Sequence, residues 1–173
     1  MYSFLLKSNP QPIYIFDVEN FKFLEVNEEA VKLYGYSRDE FLQMDLTDLY
    51  APEDIQTIIE ISDSKTKEKV KSGPWKQKKK SGDSIIVEIT KAIIEFESHP
   101  AAINIITNIT DQIELLKAEQ AYKALIKNSS DAVILTDTSG VIITANNEAI
   151  NSFSIKPDDI NRKSILSLLN EKD

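Results

Sequence analysis

The strongest constraint on this chain is that its beginning comes round again after about 120 residues and stops halfway. Leu125-Ile126-Lys127-Asn128 echoes Leu5-Leu6-Lys7-Ser8, and Val133-Ile134-Leu135-Thr136-Asp137 echoes Ile13 to Asp17. Asn146-Asn147-Glu148-Ala149-Ile150 then matches Asn27-Glu28-Glu29-Ala30-Val31, and Asp158-Asp159-Ile160 matches Asp39-Glu40-Phe41. Self-similarity at a fixed period means one folding unit used twice. The second copy reaches Asp173 without a counterpart of the residues that follow position 70 in the first. The expected organisation is a complete module over residues 1–111, a helical linker over 112–127 and the first half of a second module over 128–173. The half module is expected to belong to a longer protein, and to pair with the same region of another protomer or to be poorly ordered alone.

Local patterns fill in the first copy. Ile13 to Phe16 is apolar on both alternating faces, as in a strand covered on both sides, and Phe21 to Val26 reads as its partner across the Asp17–Asn20 turn. Asn27 and Asn146 stand where helix N-caps are wanted, each worth about 1 kcal/mol, and Gly35 ends the first helix. Ser37 and Glu40 form a capping-box pair, and Pro52-Glu53-Asp54 opens a helix carrying Ile55, Ile58 and Ile59. The period then changes to two. Pro74 to Lys80, Ser84 to Phe96 and Ala101 to Ile109 are strands, separated by turns at Ser81-Gly82-Asp83 and Glu97-Ser98-His99-Pro100. From Thr110 to Ile126 there is no Gly or Pro, and strong helix formers dominate. Ile113, Leu116, Ala118, Tyr122 and Leu125 form a drifting apolar stripe on this rod of roughly 26 Å. The predicted fold is α/β (α+β): a five-stranded antiparallel sheet with helices on one face, then a connecting helix and a partial second module.

Composition removes whole classes of chemistry. Among 173 residues there is no Cys and a single His. Disulfide scaffolds, thiol catalysis and Cys-bearing zinc or iron–sulfur sites are therefore out, as is a heme held between two histidines. A net charge of −8 argues against generic nucleic-acid or acidic-membrane binding, and no apolar run approaches a membrane span. A cytoplasmic protein is expected, with no membrane insertion. No Gly-rich phosphate loop, carboxylate pair or Ser-His-Asp set is recognisable, so no catalysis is expected.

Taken in order, Asn9-Pro10-Gln11-Pro12, Asp17, Asn27-Glu28-Glu29-Ala30, Tyr34-Gly35-Tyr36-Ser37-Arg38-Asp39-Glu40-Phe41, Pro52-Glu53-Asp54, Trp75 with its lysine run, the Gly82 turn and Asn108-Ile109-Thr110-Asp111 resemble a PAS-family sensory module. Asn108-Ile109-Thr110 is similar to the Asp-Ile-Thr signature closing many such domains, with Asn in place of Asp. Asp137, Gly140, Asn146 and Ala149 carry the resemblance into the second copy. The resemblance implies a non-catalytic sensor that binds a small ligand or protein partner. It would relay a change through Ile109, Thr110, Asp111, Ile113 and Leu116 to an effector of histidine-kinase or diguanylate-cyclase type. Homodimers are expected. The family's covalent-flavin branch needs a Cys that this chain lacks, and its heme-binding branch carries a His where this chain has Ile55, Ile58 and Ile59; no cofactor is expected.

Particular residues admit two readings each. Ile15, Ile58, Val87, Ile89, Ile103 and Ile105 either line a small apolar ligand pocket or fill an ordinary core. His99, the one imidazole, is a metal or heme ligand or an exposed loop residue; the loop reading is preferred, so no metal site is assigned. Lys65 to Lys80 holds eight lysines and Glu68, a local charge of +7. That run is either a phosphate-binding patch of a nucleic-acid-binding or adaptor protein or a sheet edge guarded against pairing. Trp75 is a packing anchor or a dimer contact.

Overall fold

The computed structural model describes residues 6, 8–62 and 69–170, and the chain divides into two compact units, Met1–Ile113 and Glu114–Asp173. The first unit is built on a five-stranded antiparallel sheet of β1 (Ile13–Asp17), β2 (Phe23–Val26), β3 (Val70–Lys78), β4 (Ser84–Phe96) and β5 (His99–Asn108). The order across the sheet is β2-β1-β5-β4-β3, which sets the first strand beside the last. Between β2 and β3 run α1 (Glu28–Tyr34), α2 (Arg38–Phe41), a 3₁₀ turn (Leu46–Leu49) and α3 (Ile55–Ser62).

Several boundaries differ from the sequence reading, each for a local reason. The second strand starts at Phe23 rather than Phe21, because Phe21 adopts a left-handed φ of 61° and returns its N–H to the Asp17 carbonyl at 2.9 Å. β3 starts at Val70 rather than Pro74. Its ladder with β4 shifts register between Ser72 and Trp75, where Pro74 has no N–H to contribute. The β4–β5 turn is only Glu97-Ser98, both at positive φ (49° and 66°), which suits the twist of a two-residue hairpin. His99 and Pro100 are therefore the first residues of β5, and exposed His99 faces Phe96 across the ladder.

Alternation along β1 sends Tyr14 and Phe16 toward the helices and Ile13 and Ile15 to the opposite face; all four are buried. On the helix side an aromatic row runs from Tyr14 to Phe23 (centroids 5.2 Å apart), Phe23 to Phe41 (5.2 Å) and Phe41 to Tyr34 (5.8 Å), all edge-to-face. On the other face Leu6, Ile13, Ile15 and Ala101 form a second cluster, with Ile103 and Ile105 packed against it.

The helix α4 (Thr110–Lys127) follows β5, and none of its residues is buried. The second unit then holds β6 (Ile134–Thr136) paired antiparallel with β7 (Ile142–Ala145), followed by α5 (Asn147–Phe153), a 3₁₀ turn (Pro157–Asp159) and α6 (Ile165–Asn170). Among the described residues its buried core is Ile142, Ala149 and Ile155. The repeated residues do repeated jobs. Asn27 Oδ1 accepts the Ala30 N–H at 3.0 Å, and Asn146 Oδ1 accepts the Ala149 N–H at 2.9 Å. Asp17 and Asp137 close their turns by accepting the N–H groups of Glu19 (2.7 Å) and Ser139 (2.9 Å).

Candidate functional site

Inside the first unit, on the helix side of the sheet, five polar side chains from five different segments meet. Tyr14 comes from β1, Tyr34 from the last position of α1, Tyr50 from the end of the 3₁₀ turn, Gln77 from β3 and Asn104 from β5; all are buried. Backbone pairing explains the convergence, since Tyr14 and Asn104 lie directly opposite each other in the β1–β5 ladder. Gln77 points inward from an edge strand whose neighbours Lys76 and Trp75 are exposed and half-buried respectively.

Tyr34 donates its hydroxyl proton to Gln77 Oε1, and Gln77 Nε2 donates to the Tyr14 hydroxyl at 3.4 Å. Asn104 Nδ2 donates to the same Tyr14 oxygen, also at 3.4 Å. Asn104 Oδ1 is buried and has no hydrogen-bond partner among the described residues. An unpaired buried acceptor costs about 1–3 kcal/mol, so the cluster is one donor short of closure. Burial pushes the phenol of Tyr14 up, against the hydrogen bonds from Asn104, Gln77 and Tyr50 that pull it down. Tyr34 and Tyr50 are held well above the ordinary tyrosine range, by burial first and by neighbouring phenols second. The cluster is therefore neutral and polar within an apolar shell.

The six isoleucine and valine positions singled out from the sequence divide between the two faces. Ile58, Val87 and Ile89 belong to the core that surrounds the polar cluster. Ile15, Ile103 and Ile105 belong to the opposite face and do not meet the other three. Sequence reasoning misses the polar cluster, because a Gln inside a lysine run and an Asn inside an isoleucine-rich strand look like solvent-facing positions. The signal that could have found it is period: Asn104 alternates in phase with Ala102 and Ile106, both buried on the helix side.

The residues expected to form a relay lie where β5 passes into α4. The Ile109 N–H reaches the Ile86 carbonyl on β4 at 2.9 Å, and the Ile86 N–H reaches Thr110 Oγ1 at 3.0 Å. Thr110 also donates its N–H (3.1 Å) and hydroxyl (2.6 Å) to Asn108 Oδ1. Asn108, which stands in place of the expected Asp, thus closes a turn at the start of α4 through its amide oxygen. Ile109 is buried, Asp111 is exposed in the favourable first turn, Ile113 is half-buried and Leu116 is 49% exposed. Asn104 precedes Asn108 by four residues on β5, about 13 Å along the strand.

The basic run occupies the sheet edge as β3; Lys65 to Glu68 lie outside the described residues. Lys71 pairs with Glu88 at 2.7 Å and Lys80 with Glu40 at 2.5 Å. A surface cleft of about 420 Å³ brings Lys32, Lys79 and Lys80 around Gly35, and Lys32 is itself paired with Glu29 at 2.7 Å. Trp75 packs against the main core and donates its indole N–H to Ser72 Oγ at 3.1 Å. His99 Nδ1 lies 2.9 Å from the Glu97 carbonyl. Among the described residues no group of three or more His, Asp or Glu side chains is placed to hold a metal ion, and no helix is long and apolar enough to cross a membrane.

Comparison with known proteins agrees with the fold. A family model described as PAS domain matches residues 10–112, and one described as PAS fold matches residues 120–173. A PAS domain from a two-component sensor histidine kinase is 20% identical, with a TM-score of 0.51, over 62% of this chain and 92% of its own. The PAS domain of an HTR-like protein from Haloarcula marismortui is 22% identical, with a TM-score of 0.52, over 61% of this chain and 91% of its own. The PAS-B domain of Drosophila melanogaster Cycle, with bound ethylene glycol, is 20% identical, with a TM-score of 0.50, over 56% and 98%. No curated protein matches the chain significantly. With a family model covering more than half of its length, the chain belongs to the PAS domain family.

Proposed function

We propose that the chain is a non-catalytic sensory module of a signal-transduction protein. Its input is a small neutral molecule received at the Tyr14–Tyr34–Tyr50–Gln77–Asn104 cluster, and its output is the setting of α4. The observation that carries the reading is the buried Asn104 oxygen, which has no hydrogen-bond partner among the described residues, inside a neutral polar cluster. A ligand bearing a hydroxyl or amide N–H supplies the missing donor, and a charged one would have no counter-ion there. The diol bound by the Cycle PAS-B domain is of this chemical kind. Such a ligand pulls on β5, whose end carries Asn108, and through Asn108 and Thr110 it biases the first turn of α4. An effector of the histidine-kinase or cyclase kind in the parent protein reads the helix.

Self-association belongs to the same reading. Leu115, Ala118, Tyr122 and Leu125 follow the 3-4-3 spacing of a coiled-coil seam, and Leu115 and Leu125 are 72% and 74% exposed. A second copy of α4 is the natural cover for that seam. Mass spectrometry of small molecules released from the purified protein tests the input. A neutral hydroxyl- or amide-bearing compound at near-stoichiometric amount is expected, and a charged or purely hydrocarbon compound would overturn the proposed chemistry.

A further inference from the structure

Asn146 does more than cap α5. Its Oδ1 accepts from Ala149 at 2.9 Å in the first turn of α5 and from Val133 at 2.9 Å just ahead of β6. Its Nδ2 donates to the carbonyl of Ile126 at 3.1 Å in the last turn of α4, to Asp131 at 2.8 Å and to Ser129 at 3.4 Å. A primary amide has two acceptor lone pairs and two N–H donors, so this side chain uses its whole capacity. The Ile126 carbonyl is among the last four of α4, which have no i+4 partner within the helix, and it accepts the Ser129 N–H at 3.3 Å just past the helix end as well. One buried planar group therefore closes the end of one helix, opens the next and holds the strand between them.

The first unit carries the same joint. Asn27 Oδ1 accepts from Ala30 (3.0 Å) and Ile13 (2.8 Å), and Asn27 Nδ2 donates to Leu6 (3.3 Å), Gln11 (2.8 Å) and Asn9 (3.5 Å). Position by position these are the counterparts of Ala149, Val133, Ile126, Asp131 and Ser129. Gln11 and Asp131, or Asn9 and Ser129, need not match, because only their carbonyls are used. The amide does have to match, because it presents two N–H donors and a two-lone-pair acceptor on one planar group.

We infer that Asn146 is the positioning residue through which α4 is coupled to the second module, and that Asn27 is its equivalent for the segment leading into the first. When the last turn of α4 shifts, the Ile126 carbonyl pulls on Nδ2, and the rigid amide carries that pull to α5 and β6 through Oδ1. This goes beyond the interior site and holds whether or not a ligand is bound there.

Aspartate separates the two halves of the joint. Asn146→Asp keeps oxygen acceptors, and Asp is as good an N-cap as Asn, but it has no N–H for Ile126 or Asp131. Asn146→Ala removes both halves. In site-resolved hydrogen exchange on the full chain, Asn146→Asp is expected to leave Ala149 as protected as in the parent. Exchange at Asn128 and Ser129, whose N–H groups bond back into the last turn of α4, should rise about tenfold for the loss of one buried bond. Asn146→Ala should raise exchange at both places. Unchanged exchange at the end of α4 in Asn146→Asp would overturn the inference, as would equal loosening of α5 in the two variants. If Asn146→Asp unfolds the small second unit, Asn27→Asp in the larger first unit decides. Faster exchange at Ser8, Asn9 and Gln11 with Ala30 still protected supports the joint, and no such difference refutes it.

Discussion

Hydrogen-bond inventory decides what each residue of the interior cluster is worth. Tyr34→Phe leaves Gln77 Oε1 without its donor, a loss of about 1–3 kcal/mol for a buried acceptor, to be read from urea denaturation of the first unit. Asn104→Leu is expected to behave differently. It removes an acceptor that has no partner among the described residues together with the 3.4 Å Nδ2 hydrogen bond to Tyr14, so the two effects offset and stability should change by less than about 1 kcal/mol; a drop of more than about 3 kcal/mol would contradict that balance. The three phenols give a pH signature. Burial holds Tyr14, Tyr34 and Tyr50 above the ordinary tyrosine range, so the folded chain keeps protons that the unfolded chain releases. Their contribution is complete below about pH 10 and falls as pH rises further, by up to about 1.4 kcal/mol per pH unit for each. Phenolate absorbance should show these three ionising together with alkaline unfolding; ionisation with the fold intact would contradict the burial. Little of this is legible in the sequence, because Gln77 between lysines and Asn104 between isoleucines declare their direction only once strand phase is known. The two capping asparagines are legible, since their spacing to Ala30 and Ala149 repeats, but their second set of bonds depends on backbone carbonyls that no residue type encodes.

Among the elements, β5 and α4 connect the interior to the exit. β5 links the cluster at Asn104 to the turn at Asn108, and α4 begins where Thr110 ties it to β4. Ala118→Pro breaks α4 in its interior at about 3 kcal/mol of local helix stability. Joined to an effector domain, the substituted chain should have input uncoupled from output while the first unit's cooperative unfolding is unchanged; retained coupling would sink the relay. Paired Leu115→Lys and Leu125→Lys substitutions should shift sedimentation toward monomer if the exposed seam is the dimer contact, and an unchanged profile would place self-association elsewhere. The helix itself is plain from its composition. Strand ends are less so: Phe21, Glu97 and Ser98 take positive φ at non-glycine positions, which residue preference disfavours and tertiary closure of the turns imposes. The unbroken apolar run from Ile13 to Phe16 does declare that both faces of β1 are covered. The division of Ile15, Ile103 and Ile105 from Ile58, Val87 and Ile89 follows from pleat alternation combined with the β1–β5 register, and the register is a long-range fact.

As a whole molecule, the chain pairs a well-built unit with a slight one. Among the described residues, the first unit buries two clusters on the two faces of its sheet, whereas the second buries Ile142, Ala149 and Ile155 with Ile134, Ala145, Phe153 and Ile160 packed against them. Native-state hydrogen exchange should therefore show the second unit opening at lower free energy than the first, and a single shared opening would contradict that division. The repeat makes this organisation legible in the residues themselves, because the same Asn, Ala and Asp recur in order about 120 residues apart. The central claim, however, is that the neutral polar interior of the first unit takes a ligand and sets α4. The most direct test is an amide NMR titration of the parent chain and Asn104→Leu with ethylene glycol and acetamide, a small diol and a small amide. The expected result is saturable shifts at Tyr14, Gln77 and Asn104 that extend to Ile109–Ile113 in the parent and vanish in Asn104→Leu. Shifts that stop at the cluster, that persist in the variant or that never saturate would contradict it.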